Sequence, residues 1–272
     1  MFRLIYNSLQ YVIKEHIGNS YRISTIVKYE LMAEYRDSKL GIWWAIIHPS
    51  IQILAYWFAF GLGIRGGAAV NEIPYINWML AGIIPWFFIS DTILSGTNAI
   101  YRRIGMISKM KFPISILPTT EVLKSLFIHL IMLLLGSVFI TLNHTGMSLI
   151  SLNVIYYLIC TILLAISFAF ISSVLNMLTR DVKKGITASM RLLLYVTPVL
   201  WTMDKLPMGI QQLMKLNPFY YIIQGYRGSL LSRPDLLPSV GEGMIFFMIV
   251  ILLFVTGSFL MYKFQRKFID FI

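Results

Sequence analysis

Six apolar stretches constrain the fold of this chain more than any other feature of its sequence. Each is about as long as the roughly 20 residues that a helix needs to cross the hydrocarbon core of a bilayer. Hydrophobic residues make up 57% of the 272 positions, and charged residues only 13%. These properties predict an all-α integral membrane protein with six transmembrane helices. The predicted spans are residues 44–64, 76–94, 122–142, 154–178, 185–203 and 244–262.

The region between the fifth and sixth spans differs from an ordinary loop. A charged turn, Arg180 to Lys184, leads into the apolar run LLLYVTPVLW, which is followed by Pro207 and the amphipathic segment NPFYYIIQGYRGSLL. The run breaks at proline and no full apolar stretch follows before the last span. Irregular backbone at membrane depth usually lies within protein or lines a path. We therefore expect short re-entrant or interfacial helices between spans five and six.

Basic residues are distributed unequally between the two sides of the predicted bundle. Of the 23 Lys and Arg residues, seventeen fall on the side that holds both termini and five on the other side. Because positive charge near the ends of spans is retained in the cytoplasm, both termini are expected to be cytoplasmic. The net charge of +11 then reflects topology and contact with anionic headgroups. No nucleic-acid-binding module is recognisable, so we expect no nucleic acid partner.

Residues 1–43 form a predicted cytoplasmic segment, and residues 44–272 form the predicted transmembrane domain. We see no apolar core or cleavage site of a signal peptide in the first 40 residues. Ser20 to Arg36 carries apolar residues at helical spacing, which predicts an amphipathic helix in the cytoplasmic interface of the membrane. This pattern fits a membrane anchor and a surface for a cytoplasmic partner equally well.

The connection between spans two and three, residues 95–116, is long for a passive link. A short helix is expected here, ending near Pro113, because the residue before a proline disfavours helix. Such a helix can dock into a groove of another protein, and the same composition also suits a solvated positive loop. The residues that favour docking are Tyr101, Arg102, Arg103, Met106 and Met110.

No residue pattern in this chain indicates catalysis. Glu121 and Lys124 are spaced to pair with each other, and His129 is expected to be a hydrogen-bonded structural residue. The four histidines lack ligand spacing, and Cys160 is alone, so it cannot form a disulfide within one chain. The glycines of residues 61–67 lack the lysine of a phosphate-binding loop. We expect no catalytic residue, metal or cofactor in this chain, so that any ATP is used by another polypeptide.

Aromatic residues are numerous near the ends of the predicted spans. Most should form interfacial belts and packing contacts. Rings with polar edges also suit sugars, since they combine flat apolar contact with hydrogen bonds. Aromatic content alone leaves both interpretations open.

Several stretches of the sequence carry a resemblance to a known family. The chain resembles the membrane subunits of polysaccharide-exporting ABC transporters of the ABC-2 class, also called type V exporters. Within that class it is most similar to permeases for wall teichoic acid. The resemblance covers about residues 20–272. The stretches that carry it are KLGIWWAIIHPSIQILAYWFAFGLGIR (39–65), WMLAGIIPWFFISDTILSGTNAI (78–100), MISKMKFPISILPT (106–119), RDVKKGITASMRLLLYVTPVLW (180–201) and LNPFYYIIQGYRGSLL (216–231).

The resemblance implies a homodimer of six-helix subunits around a central channel, above two copies of a separate ABC ATPase subunit that holds ATP and Mg²⁺. It also implies that an undecaprenyl-diphosphate-linked polymer is moved across the bacterial cytoplasmic membrane. In the family, the amphipathic segment lies along the membrane interface, and re-entrant helices would occupy about Leu206 to Leu231. The connection between spans two and three is a coupling helix for the ATPase. The coupling residues are then Tyr101, Arg103, Met106 and Lys109.

The resemblance also suggests two sets of cargo contacts. Aromatic residues of spans one and five are predicted to meet glycan or lipid in the channel: Trp43, Trp44, Tyr56, Trp57, Tyr195 and Trp201. Three basic residues either hold the diphosphate, because cationic donors suit phosphate oxygens, or only mark topology: Arg36, Lys39 and Arg102. The alternative cargo is O-antigen, capsular polysaccharide or another amphiphile. A different class altogether is a non-transport scaffold that recruits a cytoplasmic enzyme.

Overall fold

In a computed structural model of the chain, residues 2–36, 38–64, 66–107, 112–143 and 148–265 are described. These residues form twelve α-helices, and their only β-geometry is a bridge between Val70 and Ile73. A 3-10 turn precedes α3, and a π-helix, Trp57–Ile64, follows it. The helices are α1 Phe2–Gly18, α2 Ser20–Arg36, α3 Trp44–Tyr56, α4 Tyr75–Thr97, α5 Ala99–Arg102, α6 Ile104–Ile107, α7 Ile116–Asn143, α8 Asn153–Leu178, α9 Asp181–Val196, α10 Met208–Lys215, α11 Pro218–Leu230 and α12 Val240–Phe264.

Five of the predicted spans are helical and are long and apolar enough to cross a membrane, so the chain is a multi-pass membrane protein. Each helical stretch is a few residues longer than the apolar segment that predicted it. The first stretch combines α3 with the turns on either side of it. The five stretches are Gly41–Ile64, Tyr75–Thr97, Ile116–Asn143, Leu149–Leu178 and Val240–Phe264.

The fifth predicted span, residues 185–203, differs from expectation. Helix α9 ends at Val196, and Thr197 has an extended backbone because the residue before a proline is sterically disfavoured in the helical region. With 16 residues, α9 is also shorter than a typical span. The prediction of six spans is therefore not confirmed, since the described residues contain five helices of spanning length and composition. Short helices α10 and α11 do follow, but their position relative to a bilayer stays a prediction.

The N-terminal segment contains two helices where the sequence predicted one. Helix α2 has the predicted bounds, Ser20–Arg36. Helix α1 precedes it, packs against α12 and caps the start of α7. The Glu15 carboxylate accepts hydrogen bonds from the backbone N–H and the hydroxyl of Ser115, the latter at 2.7 Å, and His16 Nε2 lies 2.8 Å from the Thr119 hydroxyl. Burial lowers the pKa of His16, which favours the neutral ring in this hydrogen bond.

Helix α4 is the centre of the bundle, and 72% of its most apolar 18-residue stretch is buried. It packs against α7, α8 and α11, while α12 packs against α8 and α1. Small residues allow close approach, as helix pairs in membranes commonly require. A Cβ atom at Gly96 would lie 2.6 Å from that of Ala169, and one at Gly257 would lie 2.6 Å from that of Phe170. Helix α3 lies at the periphery. Only 11% of the most apolar 18 residues of its spanning stretch, Gly41–Ile64, is buried.

Candidate functional site

The connection between the second and third spanning stretches contains two short helices, α5 and α6, rather than one. Ile100 and Ile107 anchor them in a core cluster with residues of α1, α7 and α8. The ring of Tyr101 lies 4.7 Å from the guanidinium carbon of Arg180, at the start of α9. Lys109 lies outside the described residues, as does the Met106 side chain. Short helical structure is present in this connection as predicted, but the predicted end near Pro113 is not confirmed, because α6 ends at Ile107 and residues 108–111 lie outside the described residues. Contact of this connection with an ATPase stays a prediction.

A buried carboxylate joins this connection to α7. Glu121 is fully buried, and its carboxylate forms an ion pair with Arg102 and, at 2.8 Å, with Arg103. Lys124 lies 3.5 Å from the other oxygen of Glu121, which confirms the pairing predicted from their spacing. A buried carboxylate is expensive unless it is paired, and here three cations surround it.

The same cations also hold the amphipathic helix. Glu30 of α2 forms ion pairs with Arg103 and, at 3.4 Å, with Arg102, while Glu34 lies 3.0 Å from Lys124. We call these six residues the charge cluster: Glu30, Glu34, Arg102, Arg103, Glu121 and Lys124. It links α2, α5 and α7, so that movement of one of these helices is resisted by the other two. Glu30 and Glu34, one turn apart, are the signal through which sequence reasoning could have found the cluster.

The structure places the three predicted diphosphate contacts in different settings. Arg36 is exposed at the end of α2, and Lys39 is exposed in the turn that follows. Arg102 belongs to the charge cluster, although 46% of its side chain is accessible. Because two carboxylates already engage Arg102, part of its charge is neutralised within the protein. Their contact with phosphate stays a prediction.

The predicted aromatic contacts of the first span lie along α3 and the turns that flank it. Trp43 precedes the helix and is 63% exposed, and the Trp44 ring lies 5.2 Å from that of His48. Trp57 is half-buried, and a Cβ atom at Gly61 would lie 3.1 Å from its ring. Trp57 therefore packs within its own subunit, whereas Trp43 and Trp44 are available to a ligand or to lipid.

The other two predicted aromatic residues lie at the end of α9. Tyr195 is 55% exposed, and its carbonyl accepts a hydrogen bond of 2.7 Å from the Trp201 indole nitrogen. Tyr56, at the end of α3, is half-buried. Of these three aromatic residues, Tyr195 is therefore the one most accessible to a ligand or to lipid.

Helix α9 is exposed along a face that mixes small, polar and apolar side chains. Gly185, Ala188, Ser189 and Arg191 are exposed, and so are Leu192, Tyr195 and Val196. Polar residues that lie at membrane depth normally face other protein or a water-filled cavity. Small residues also favour close contact between helices. The exposed face of α9 is therefore a candidate surface for contact with another protein or with water.

Arg227 is a buried residue that the sequence did not single out. It is one of the five basic residues counted on the side opposite the termini, and its side chain is 1% exposed within the bundle. It donates to the carbonyls of Pro198, at 2.7 Å, and Val199, and its guanidinium carbon lies 3.5 Å from the centre of the Trp78 ring. These carbonyls follow the end of α9, where no helical donor reaches them. Arg227 therefore binds α11 to α4 and to the turn after α9.

The helical architecture, the apolar spans and the sequence together define the class of protein. The family model for the ABC-2 type transporter matches residues 21–231, and the chain belongs to this family. The matched region begins in α2 and ends just after α11, so it contains the charge cluster, the aromatic residues of α3 and α9, and Arg227.

Individual relatives are similar over most of their length. The O-antigen export system permease protein RfbA of Myxococcus xanthus is 26% identical over 209 residues, which are 75% of this chain and 77% of that protein. Two O-antigen export system permease proteins RfbA of Klebsiella pneumoniae are 25% and 28% identical, over 74% of this chain and 77% of their own length.

Proposed function

We propose that this chain is the membrane subunit of an exporter that carries a lipid-linked polysaccharide of the O-antigen type across the bacterial cytoplasmic membrane. ATP is hydrolysed on a separate ABC ATPase subunit, which also binds Mg²⁺. The observation that carries the proposal is the similarity to three O-antigen export permeases over about three quarters of the chain.

The comparisons favour O-antigen over the wall teichoic acid that the sequence resemblance suggested. Both polymers are long, hydrophilic and joined to a lipid, so one permease architecture suits either. All three of these relatives are named for O-antigen export, so a cargo of the O-antigen type is favoured. Teichoic acid and capsular polysaccharide are the alternative cargoes, each linked to undecaprenyl diphosphate as the resemblance implies.

The exposed faces of α3 and α9 support a homodimer with its channel at the subunit interface. Helix α3 has little contact with the rest of its own chain, and α9 exposes Ser189 and Arg191. A second copy placed against these helices would shield the polar face of α9 from lipid. Trp43 and Tyr195 would then line the path between the two copies.

The charge cluster supports a route for movement from the ATPase to the spans. Both termini and the charge cluster would lie on the cytoplasmic side, where α5 and α6 meet the ATPase. Displacement of α5 moves Arg102 and Arg103, and their ion pairs with Glu121 transmit the movement to α7. Glu30 transmits it to α2 at the same time.

The proposal is tested by polymer export from cells. The chain is deleted from its own host, and surface polysaccharide is measured by antibody binding to intact cells. We expect polymer to accumulate inside, and export to return with the wild-type chain. Purification from mild detergent should recover an ATPase in a stoichiometric complex. Unchanged surface polymer in the deletion strain would exclude the proposal.

A substitution at Tyr195 tests whether this residue lines the export channel. Tyr195 is exposed, so Tyr195→Glu should fold normally, whereas a charge at the half-buried Trp57 would disturb packing. A charge in the channel should reduce export at least tenfold, while Tyr195→Phe should retain it. Recovery of the ATPase should be equal for both variants. If Tyr195→Glu exports polymer normally, the channel placement of Tyr195 is wrong.

A further inference from the structure

A cleft of about 510 Å³ lies among α2, α3, α4 and α7. Its volume is within the range of roughly 300–1,000 Å³ that small-molecule sites occupy. Most of the bundle interior is apolar, but this cleft is lined by several polar and charged side chains. These include Glu34, His48, Gln52, Asp91, Lys124 and Ser125.

One wall of the cleft is a polar and aromatic stripe on α3. Trp44, His48 and Gln52 are each one turn apart, and all three are exposed. Exposing imidazole and amide groups to lipid acyl chains is energetically unfavourable, so such groups normally face protein or a cavity. Together the three side chains offer a flat ring, a hydrogen-bond donor and a hydrogen-bond acceptor.

The opposite wall presents the carboxylate of Asp91. The Ser125 hydroxyl donates to one oxygen of this carboxylate at 2.5 Å. The other oxygen has no hydrogen-bond partner among the described residues, and the side chain of Asp91 is accessible from the cleft. A carboxylate at membrane depth that faces a cavity indicates a functional site.

The charge balance of the cleft decides which ligand suits it. Lys124 is the only cation in its described lining, and Glu34 and Glu121 already neutralise it. In its ionised form, Asp91 would therefore give the cleft an excess of negative charge. Such a site repels phosphate and favours groups that donate hydrogen bonds, such as hydroxyls.

We propose that this cleft binds a sugar ring of the lipid-linked polysaccharide, stacked on Trp44 and hydrogen-bonded by Asp91, His48 and Gln52. This inference rests on the proposed function and specifies the part of the cargo that the site recognises. Asp91 is six residues before the end of α4, so it lies about 9 Å from that end along the helix axis. At this depth, the sugars nearest the lipid reach the cleft while the lipid remains in the bilayer.

The test compares three lipids that share dioleoyl chains and differ only in headgroup. Glucosyl-diacylglycerol carries a sugar, phosphatidylcholine a zwitterionic phosphate and a trimethylammonium lipid a cation. Binding to the purified chain is measured by native mass spectrometry. We expect the glucosyl lipid to bind best, and Asp91→Ala and Gln52→Ala each to weaken it about tenfold through lost hydrogen bonds.

Asp181→Ala is the matched control, because this aspartate is exposed and pairs only with Lys184 among the described residues, at 3.2 Å. Gln52→Ala keeps the test decisive if Asp91→Ala does not fold, since Gln52 is exposed on α3. Equal binding of the three lipids, or unchanged binding by the folded variants, would overturn the proposal. Preferred binding of the cationic lipid through Asp91 would instead identify an amine site.

The export assay separates this proposal from the proposed function. If deletion of the chain abolishes surface polysaccharide but the glucosyl lipid binds without preference, the exporter stands and the sugar cleft is wrong. If the glucosyl lipid binds through Asp91 but deletion leaves surface polymer unchanged, the cleft binds a glycolipid and the exporter assignment is wrong.

Discussion

The guanidinium of Arg227 shows what one buried charge does in this protein. Its donors occupy the carbonyls of Pro198 and Val199 and the side chain of Gln224. Gly82 leaves the room that this side chain needs, since a Cβ atom there would lie 2.5 Å from the guanidinium. Arg227 is therefore a structural residue that connects α11 to α4 and to the turn after α9.

We expect Arg227→Ala to destabilise the protein strongly. Each carbonyl left without a donor costs about 1–3 kcal/mol. Arg227→Lys keeps the charge but loses the planar fork and the stacking on Trp78, so it should have an intermediate effect. Thermal unfolding in detergent, followed by tryptophan fluorescence, measures both changes.

Arg233 is the control for this prediction. Its guanidinium lies 2.8 and 2.9 Å from the carboxylate oxygens of Asp235 in an exposed pair. Surface pairs of this kind contribute little to stability. Arg233→Ala should therefore leave the midpoint temperature of thermal unfolding almost unchanged. Equal midpoints for Arg227→Ala and Arg233→Ala would show that the buried network does not support the fold.

The contact between α8 and α12 depends on a glycine. A Cβ atom at Gly257 would lie 2.6 Å from the Cβ of Phe170 and 3.3 Å from the carbonyl oxygen of Ser167. Neither neighbour is the flexible end of a side chain, so Gly257→Ala must separate the helices. Overpacking of this kind costs about 1–3 kcal/mol, and we expect a lower unfolding midpoint.

Gly185 provides the opposite expectation with the same substitution. It lies in α9, and beyond the adjoining residues and the backbone of its own helix, no described atom lies within 4 Å of the position that a Cβ would occupy. Gly185→Ala should raise stability by up to about 1 kcal/mol, since alanine favours helix. The assignment of Gly257 to a close helix contact is wrong if both variants shift the midpoint in the same direction.

The charge cluster should determine how firmly α2 is held. In the double variant Glu30→Ala and Glu34→Ala, α2 loses its ion pairs to Arg102, Arg103 and Lys124. We expect faster hydrogen–deuterium exchange across α2, measured by mass spectrometry. Exchange in α1 should not change, because Glu15 and His16 hold that helix independently.

Lys28→Ala is the control for the exchange experiment. Lys28 is exposed on the same helix and lies outside the charge cluster. Its removal should leave exchange in α2 unchanged. If the control and the double variant accelerate exchange equally, apolar contacts rather than charges hold this helix.

Local patterns were enough to predict some of these elements. The bounds of α2 follow from a periodic apolar face, and Glu121 and Lys124 are close in sequence, so both predictions were confirmed. Contacts between distant residues were beyond such patterns. Glu30 and Arg103 are 73 positions apart, and the burial of Arg227 depends on carbonyls in the turn after α9. Helix α9 was predicted too long because its apolar run continues past Pro198 while its helix does not.

The whole molecule exposes most of α3 and part of α9, and the proposed homodimer can be tested there. Ser189→Cys places a thiol on the exposed face of α9, and the native Cys160 is 1% exposed. We expect an oxidant to join two copies through residue 189, because the α9 faces would meet across the interface. A non-reducing gel measures the dimer formed in native membranes.

Ile251→Cys is the control at this scale. Ile251 is 61% exposed, but it lies on α12, whose apolar exposed face suits lipid. Its thiol should not form dimers. Cross-linking through residue 251 but not residue 189 would place the interface on the other side of the bundle and remove α3 and α9 from the channel.

The burial of Arg227 also has a consequence for biogenesis. Trp78, Pro198, Val199 and Gln224, which receive its side chain, all precede it in the chain. During synthesis these partners leave the ribosome first, so the arginine emerges when its acceptors already exist. An isolated arginine at membrane depth costs several kcal/mol, on the order of 3 on insertion scales. The chain from Arg227 onwards is thus expected to enter the membrane only after the earlier helices have assembled, so the order of translation is also an order of assembly.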